Sequence, residues 1–360
     1  VGSSKQKSLA GASRYCRYRF VYPAPGKHPQ AFIEAVIKAL QKHKPEMIMP
    51  VTEVTTLLVT LHRAVIESYT RLPFPSYDAV KTAASKKDVL ELAASLGVPI
   101  PATRILDTPA TTSLLRDLVS EISFPIVIKP SCSRYLSGGV IKSSGADYAY
   151  NRNDLAAKLA RIEEEAYPVL LQERIHGPGT GVFTCMHSGR MVAVFSHRRI
   201  REKPPSGGVS VLRESCHVPD LLKRQSEALL NALNWQGVAM VEFKQDDRNG
   251  GYKLMEVNGR YWGSLQLAID AGVNFPLLLF RIAMGQRVVP NYNYRIGTRT
   301  RWFLGDLDAL LVRVFKSNHS LNLPFGYPSK LSCLKDFFTN SHPDTHFEIM
   351  ARSDLWPWFL

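Results

Sequence analysis

The sequence predicts an α/β fold, and three observations carry that expectation. Phe32, Ile33, Val36, Ile37 and Leu40 recur at helical spacing, and Met47 to Val51 follow as a short buried-strand candidate, a pattern of parallel strands with crossing helices. Short strand-like runs then alternate with helical ones as far as Asn258. With 45% hydrophobic and 21% charged residues in 360, the chain carries enough apolar side chains for two or three packed domains.

Taken in order, Ser85 precedes the periodic segment Val89, Leu90, Leu92, Ala93, Leu96, which stops at Gly97 and Pro99, giving a capped helix. Lys86 falls in its first turn, where the helix dipole is already positive, and this conflict hints at an anionic partner. Phe124 to Lys129 reads as a strand, and Ser131 to Gly139 as a small-residue loop whose Gly138-Gly139 pair lets backbone approach a ligand. Asn153 and Asp154 cap a helix expected to run to about Ala166, and Val169 to Gln172 is again strand-like. Val182 to Arg201 reads as a hairpin turning at His187-Ser188-Gly189, and Lys203 to Ser210 as a long loop of the kind that often forms a lid. A helix from about Leu221 to Leu233 precedes two strands, Val238 to Lys244 and Tyr252 to Asn258, joined at Asp246 to Gly251. Near the end, Leu304, Leu307, Leu310, Leu311 and Val314 form a helical packing face beside Trp302 and Phe303, and Trp356 and Trp358 lie close to the terminus.

The net charge of +14 favours anionic partners without choosing among nucleotides, metabolites and nucleic acid. No RNP signature, zinc finger or helix-turn-helix pattern supports nucleic acid. The longest apolar runs, such as Phe275 to Phe280, are far too short to span a bilayer, so no membrane partner is expected. Cys16, Cys132, Cys185, Cys216 and Cys333 are scattered and form no CxxC pair, which suits a reducing cytoplasm.

Chemistry concentrates in the last hairpin. Side chains alternate along a strand, so Glu256, Asn258 and, if the strand continues, Arg260 share a face, and folding about the turn sets Glu242 nearly opposite Glu256. Two facing carboxylates repel unless a cation sits between them, and a hard divalent ion takes carboxylate and amide oxygens. The alternative is a surface cluster in which Arg260 and Lys244 neutralise the pair.

With this hairpin in view, the chain resembles the ATP-grasp superfamily, in its branch with biotin carboxylase, carbamoyl phosphate synthase domains and D-alanine or D-aspartate ligases. The resemblance rests on Ser85-Lys86 with Gly97-Val98-Pro99-Ile100-Pro101, on Phe124-Pro125-Ile126-Val127-Ile128-Lys129-Pro130, on Gln172-Glu173-Arg174-Ile175 and on Met255-Glu256-Val257-Asn258-Gly259-Arg260, in that order. It departs from the family in Ser85, where Asp is frequent, and in a phosphate loop poor in glycine that carries Cys132, Arg134 and Tyr135.

The resemblance implies an α+β ATP-grasp module of two subdomains over residues 83–290, with its lid at about 124–172, and a C-terminal extension over 291–360. It also implies a Rossmann-like pre-ATP-grasp domain over residues 1–82, truncated in that Val1-Gly2-Ser3-Ser4 resembles the end of its second strand. ATP and two Mg²⁺ ions, with Mn²⁺ as the alternative, are the implied cofactors. Lys86 and Lys129 would contact the phosphates under Gly138 and Gly139, and Gln172, Glu173, Arg174 and Ile175 would hold adenine. Glu242, Glu256 and Asn258 would bind the metal ions, and Arg260 would steady the acyl phosphate. The basic run at Arg199 and Arg201 and the loop Ser206, Gly207 and Gly208 are the candidates for holding a substrate carboxylate or phosphate.

The expected activity is an ADP-forming ligase that activates a small-molecule carboxylate as an acyl phosphate for attack by an amine or similar nucleophile, forming a C–N bond, with a homodimer left open. Two other classes stay on the table: a nucleotide-binding regulatory module without turnover, and a polyanion- or nucleic-acid-binding protein.

Overall fold

The computed structural model describes residues 1–109, 122–205, 208–318, 320–321, 323, 327–339, 342–351 and 353–359. In chain order the strands are β1 (Gly2–Ser3), β2 (Phe20–Val21), β3 (Thr103–Leu106), β4 (Ile126–Pro130), β5 (Arg134–Ser137), β6 (Val140–Ser143), β7 (Asp147–Ala149) and β8 (Val169–Glu173). They continue with β9 (Gly179–His187), β10 (Arg190–Lys203), β11 (Val209–Ser215), β12 (Gly237–Gln245), β13 (Tyr252–Asn258), β14 (Arg299–Arg301) and β15 (Thr345–Phe347).

Among the described residues a seven-stranded sheet runs β13-β12-β9-β10-β11-β14-β15, and a four-stranded sheet runs β3-β8-β4-β7. Two short ribbons, β1-β2 and β5-β6, complete the set. Among the described residues the parallel strand pairs are β1 with β2 and β14 with β15, beside two isolated parallel bridges; the other strand pairs are antiparallel. The α/β expectation thus holds as a mixed fold whose large sheets are hairpin-built, the form in which tight turns can join neighbouring strands. Met47 makes one isolated bridge to Arg71, so the strand expected over Met47 to Val51 does not form.

Local chemistry explains the turns. The β9–β10 connection is Ser188-Gly189 with φ of 50° and 72°, a two-residue turn with both residues left-handed, which matches strand twist. The helix Pro29–His43 buries Phe32, Ile33, Val36 and Leu40, as their spacing requires. The helix Arg152–Leu159 is capped by Asn151, whose side chain accepts from Asp154 N, and it ends well before Ala166. Sequence periodicity placed that cap two residues late. β10 runs on to Lys203 and β11 starts at Val209, so the expected long loop shrinks to the connection between paired strands.

Three cores result. One joins the helix Pro29–His43 to a face of the large sheet through Phe183, Phe195, Met240 and Phe275. The opposite face is covered by the helices Tyr77–Ala84, Lys86–Ser95 and Asp220–Ala232 around Trp235 and Phe243. The small sheet has its own core, including Ile126, Ile128, Leu155, Leu159 and Leu171. This small sheet includes β3, which starts at Thr103.

The residues after 291 extend the large sheet with β14 and β15 and cover it with the helices Phe303–Phe315 and Lys330–Thr339. Asp306, 1% exposed, receives Arg201 Nε at 2.7 Å and Nη2 at 2.6 Å, and Arg301 Nε at 2.7 Å. Removing one partner of a buried charge cluster leaves the others unpaired, so Asp306→Ala is expected to cost about 3–5 kcal/mol in urea unfolding. The expected packing face of the first helix splits: Leu310 is buried, whereas Leu304 and Leu311 are 57% and 44% exposed.

Candidate active site

β12 and β13 pair in register with Glu242 opposite Glu256 and Met240 opposite Asn258. Their turn is closed by Arg248, whose backbone N donates to Asp246 Oδ1 at 3.0 Å and whose Nε donates to the same carboxylate at 2.9 Å. Arg248 Nη2 also reaches Glu173 Oε2 at 2.8 Å, fastening the hairpin to the end of β8. Asn258 Nδ2 donates to Glu256 Oε1 at 2.9 Å, which leaves its Oδ1 available. β13 ends at Asn258, and Arg260 lies beyond it with Nη1 donating to Tyr261 O at 2.9 Å, off the strand face that sequence alternation would give it.

Three cations surround the pair. The helix Lys86–Ser95 is docked by its first turn to the segment after β4: Lys86 N donates to Ser131 O at 2.8 Å and Lys87 N to Ser131 Oγ at 3.1 Å. That geometry brings Lys86 Nζ to 2.8 Å from Ser133 Oγ and 3.7 Å from Glu256 Oε2. The misplaced charge in the first turn is thus answered by a carboxylate. Lys129, near the end of β4, is mostly buried; burial pushes its ammonium below the usual lysine range, against the pull of Glu256 and Glu242. Among the described residues no hydrogen bond or ion pair engages its Nζ.

The third cation is Arg199, on β10. Its Nη2 donates to Glu242 Oε1 at 3.0 Å and its Nη1 to Glu202 Oε1 at 3.0 Å. β9 runs between β10 and β12, so the guanidinium must pass over it. Gly179 lies beneath the contact: a Cβ there would sit at ordinary van der Waals distance, 3.8 Å, from both the Arg199 guanidinium carbon and Glu242 Oε1. A Cβ on Gly181 would press the Phe183 ring at 2.9 Å. Sequence reasoning passed over both glycines, although two glycines at period two in a strand are a signal for close approach.

Burial, and then the facing negative charge of Glu256, lift the Glu242 carboxyl above its usual range in spite of Arg199, while Glu242 and Glu202 hold Arg199 charged. A carboxyl whose pKa is raised on folding costs nothing below its unfolded value near 4.5, and its unfavourable contribution grows as pH rises through that value toward the folded one. In metal-free protein, Glu242→Gln is therefore expected to flatten the fall in melting temperature as pH rises above the unfolded value near 4.5. Thermal scans across that range check this.

The hinge candidates lie at the end of β8. Gln172 is buried with Nε2 on Thr103 Oγ1 at 2.9 Å. Glu173 Oε1 accepts Ala102 N at 2.9 Å, Arg174 stacks over Tyr148 at 5.2 Å, and Ile175 O accepts Lys244 Nζ at 3.1 Å. Lys244 thus serves the hinge and is not the neutraliser of the acid pair. Gly138 and Gly139, at φ 57° and 77°, form the exposed turn of the β5–β6 ribbon, which rests on the first 82 residues through Ile141 N to Gly26 O at 2.8 Å.

Arg201 is not brought to this group: its fork is taken by Asp306, and Asp336 Oδ2 accepts its Nη1 at 2.6 Å. The bulge in β10 between Arg199 and Arg201 separates their directions. Gly208 lies in the β10–β11 connection, and Ser206 and Gly207 lie outside the described residues. Among the described residues no three His, Cys, Asp or Glu side chains gather as a metal cluster. A cation held here would take two carboxylates and an amide, and complete its shell with water and phosphate oxygens.

A family model for ATP-grasp proteins of the biosynthetic pathway with the Ter operon matches residues 165–303. D-aspartate ligase of Enterococcus faecium is 24% identical over 284 residues, which are 73% of this chain and 66% of that protein. The N-terminal section of the carbamoyl phosphate synthase large chain of Methanopyrus kandleri is 23% identical over 296 residues, 78% of this chain and 50% of that protein. The chain thus spans between 50% and 66% of the length of these relatives. Among solved structures, the biotin carboxylase domain of Hydrogenobacter thermophilus 2-oxoglutarate carboxylase, in complex with MgADP, ADP and bicarbonate, superimposes with a TM-score of 0.63 at 15% identity, covering 81% of this chain and 66% of that one. The chain thus has the ATP-grasp fold, and its residues 165–303 match an ATP-grasp family model.

Proposed function

We propose that this chain is an ATP- and Mg²⁺-dependent ligase, working in the cytoplasm, that joins a small-molecule carboxylate to an amine with release of ADP and phosphate. The observation that carries the reading is the Glu242–Glu256 pair in register, flanked by Asn258 and by Lys86, Lys129 and Arg199. The facing carboxylates suit a divalent cation, and the three cations beside them suit polyphosphate.

In this reading Lys86 and Lys129 draw phosphate oxygens, with Gly138 and Gly139 covering them, and the main chain at Arg174 and Ile175 holds the base beside Gln172 and Glu173. Glu242, Glu256 and Asn258 hold two Mg²⁺ ions or their Mn²⁺ substitutes, which supply charge neutralisation at the phosphates. A substrate carboxylate oxygen attacks the γ-phosphorus in line while the bond to ADP breaks, giving an acyl phosphate. An amine then attacks the acyl carbon, the bond to phosphate breaks, and the amine proton passes to solvent. Arg260 stabilises the charge at the acyl phosphate, and Arg199, with Gly208 and the adjoining Ser206 and Gly207, orients the carboxylate.

The test is ADP release from Mg-ATP against pools of amino acids and other carboxylates with amines. Release that depends on one pool supports the ligase and narrows its substrate. ATP binding without release in any pool would replace it with a nucleotide-binding module.

A further inference from the structure

The helices Phe303–Phe315 and Lys330–Thr339 form an antiparallel pair, the first packed on β10 and β11 of the large sheet. Lys330 Nζ donates to Val314 O at 2.6 Å at one end, and Arg201 spans Asp306 and Asp336 further along. Gly305, Asp306, Ala309, Leu310 and Arg313 of the first helix and Phe337 of the second face inward and are buried.

The outward side is apolar as well. Leu304, Leu307, Leu311 and Val314 follow one another at steps of three, four and three, and Leu331, Leu334 and Phe338 at three and four, the spacing of a coiled-coil seam. Leu304, Leu311 and Phe315 are 57%, 44% and 81% exposed, and Leu331, Leu334 and Phe338 are 77%, 39% and 72%. The acids of these helices are turned to other duties: Asp306 and Asp336 bind Arg201, and Asp308 pairs with Lys203.

From this seam we infer that the outer face of the helix pair is the contact between two copies of the chain, related by a twofold axis and closing into a four-helix layer. A pair of antiparallel helices with a seam on each offers the same surface to a copy of itself, which is what a twofold contact requires. The six exposed side chains carry roughly 700 Å² of apolar surface per copy, close to the ~800 Å² each partner gives to a specific interface. Exposed Lys316, Lys330 and Lys335 lie in the same two helices or at their ends, so copies repel through their charges while the seam attracts. This inference is independent of the ligase reading.

Sedimentation of the full chain, with and without added salt, tests it. The wild type is expected to be a dimer that tightens as salt screens the repulsion. Leu331→Glu and Phe338→Glu are each expected to weaken it more than about tenfold. Leu61→Glu, an exposed leucine elsewhere at 52%, is expected to leave it unchanged. Unaltered far-ultraviolet dichroism and melting temperature would show that the variants fold. A monomeric wild type overturns the inference, as does a dimer indifferent to both seam substitutions. A monomer that floats with anionic vesicles and is released by salt would reassign the face to a lipid surface and overturn it equally.

Discussion

Glu256→Gln is expected to lower ADP release from Mg-ATP on the order of 10²–10³-fold while leaving the melting temperature close to that of the wild type. The substitution keeps the side chain's size and its hydrogen bond from Asn258 Nδ2, and removes the charge that faces Glu242 and Lys86. With one carboxylate left, the pair no longer presents the charge that a divalent ion needs, and the polyphosphate loses its counter-ion at the moment charge moves between phosphoryl groups. Glu256 is partly exposed, so its loss opens no cavity. Parallel loss of release and of stability would instead assign the pair to a structural salt cluster.

Lys129→Met is expected to reduce kcat/KM for ATP about 10²-fold and to raise the melting temperature of the nucleotide-free protein slightly. The stem of the side chain is kept and only the ammonium is lost. Burial holds the folded pKa of Lys129 below its unfolded value of 10.5, so below the folded pKa the charged form disfavours folding, and the cost disappears as pH rises toward the unfolded value. A mostly buried cation that costs stability and, among the described residues, makes no hydrogen bond or ion pair is explained by a ligand that supplies one. Isothermal titration with ATP and thermal scans of the same variant separate the two effects. Weakened ATP binding with raised stability fits a phosphate ligand, whereas a drop in stability would make Lys129 a structural residue.

Local patterns made much of this legible in the sequence. The two runs Val238 to Lys244 and Tyr252 to Asn258, with a turn between them, gave the hairpin, but its turn pairs Phe243 with Leu254 and would set Glu242 against Met255; a bulge between Glu242 and Phe243, which alternation does not report, shifts the register by one and brings Glu256 opposite. The cap at Ser85 and the stop at Gly97 were equally local, and the helix Lys86–Ser95 follows them. Long-range features escaped. Arg199 and Arg201 look alike in the sequence, and only the bulge between them sends one to Glu242 and the other to Asp306, more than a hundred residues away. Lys244 read as a neutraliser because it neighbours Glu242, yet it donates to Ile175 O across the hinge. The leucines after Trp302 read as a core because periodicity reports an apolar stripe without saying what covers it.

The lid has an apolar core of its own, and the contacts described above between it and the body are polar: Ser131 with Lys86 and Lys87, Ser133 with Lys86 Nζ, and Ile141 with Gly26. Water can replace each of these groups at a net difference of roughly 1 kcal/mol, whereas parting an apolar seam would expose surface that water cannot compensate. The clasp is therefore a wet one. Parting these contacts would trade one set of hydrogen bonds for another, so in the ligase reading a polyanion held between Lys86 and Lys129 would shift that balance with little more than its own charge.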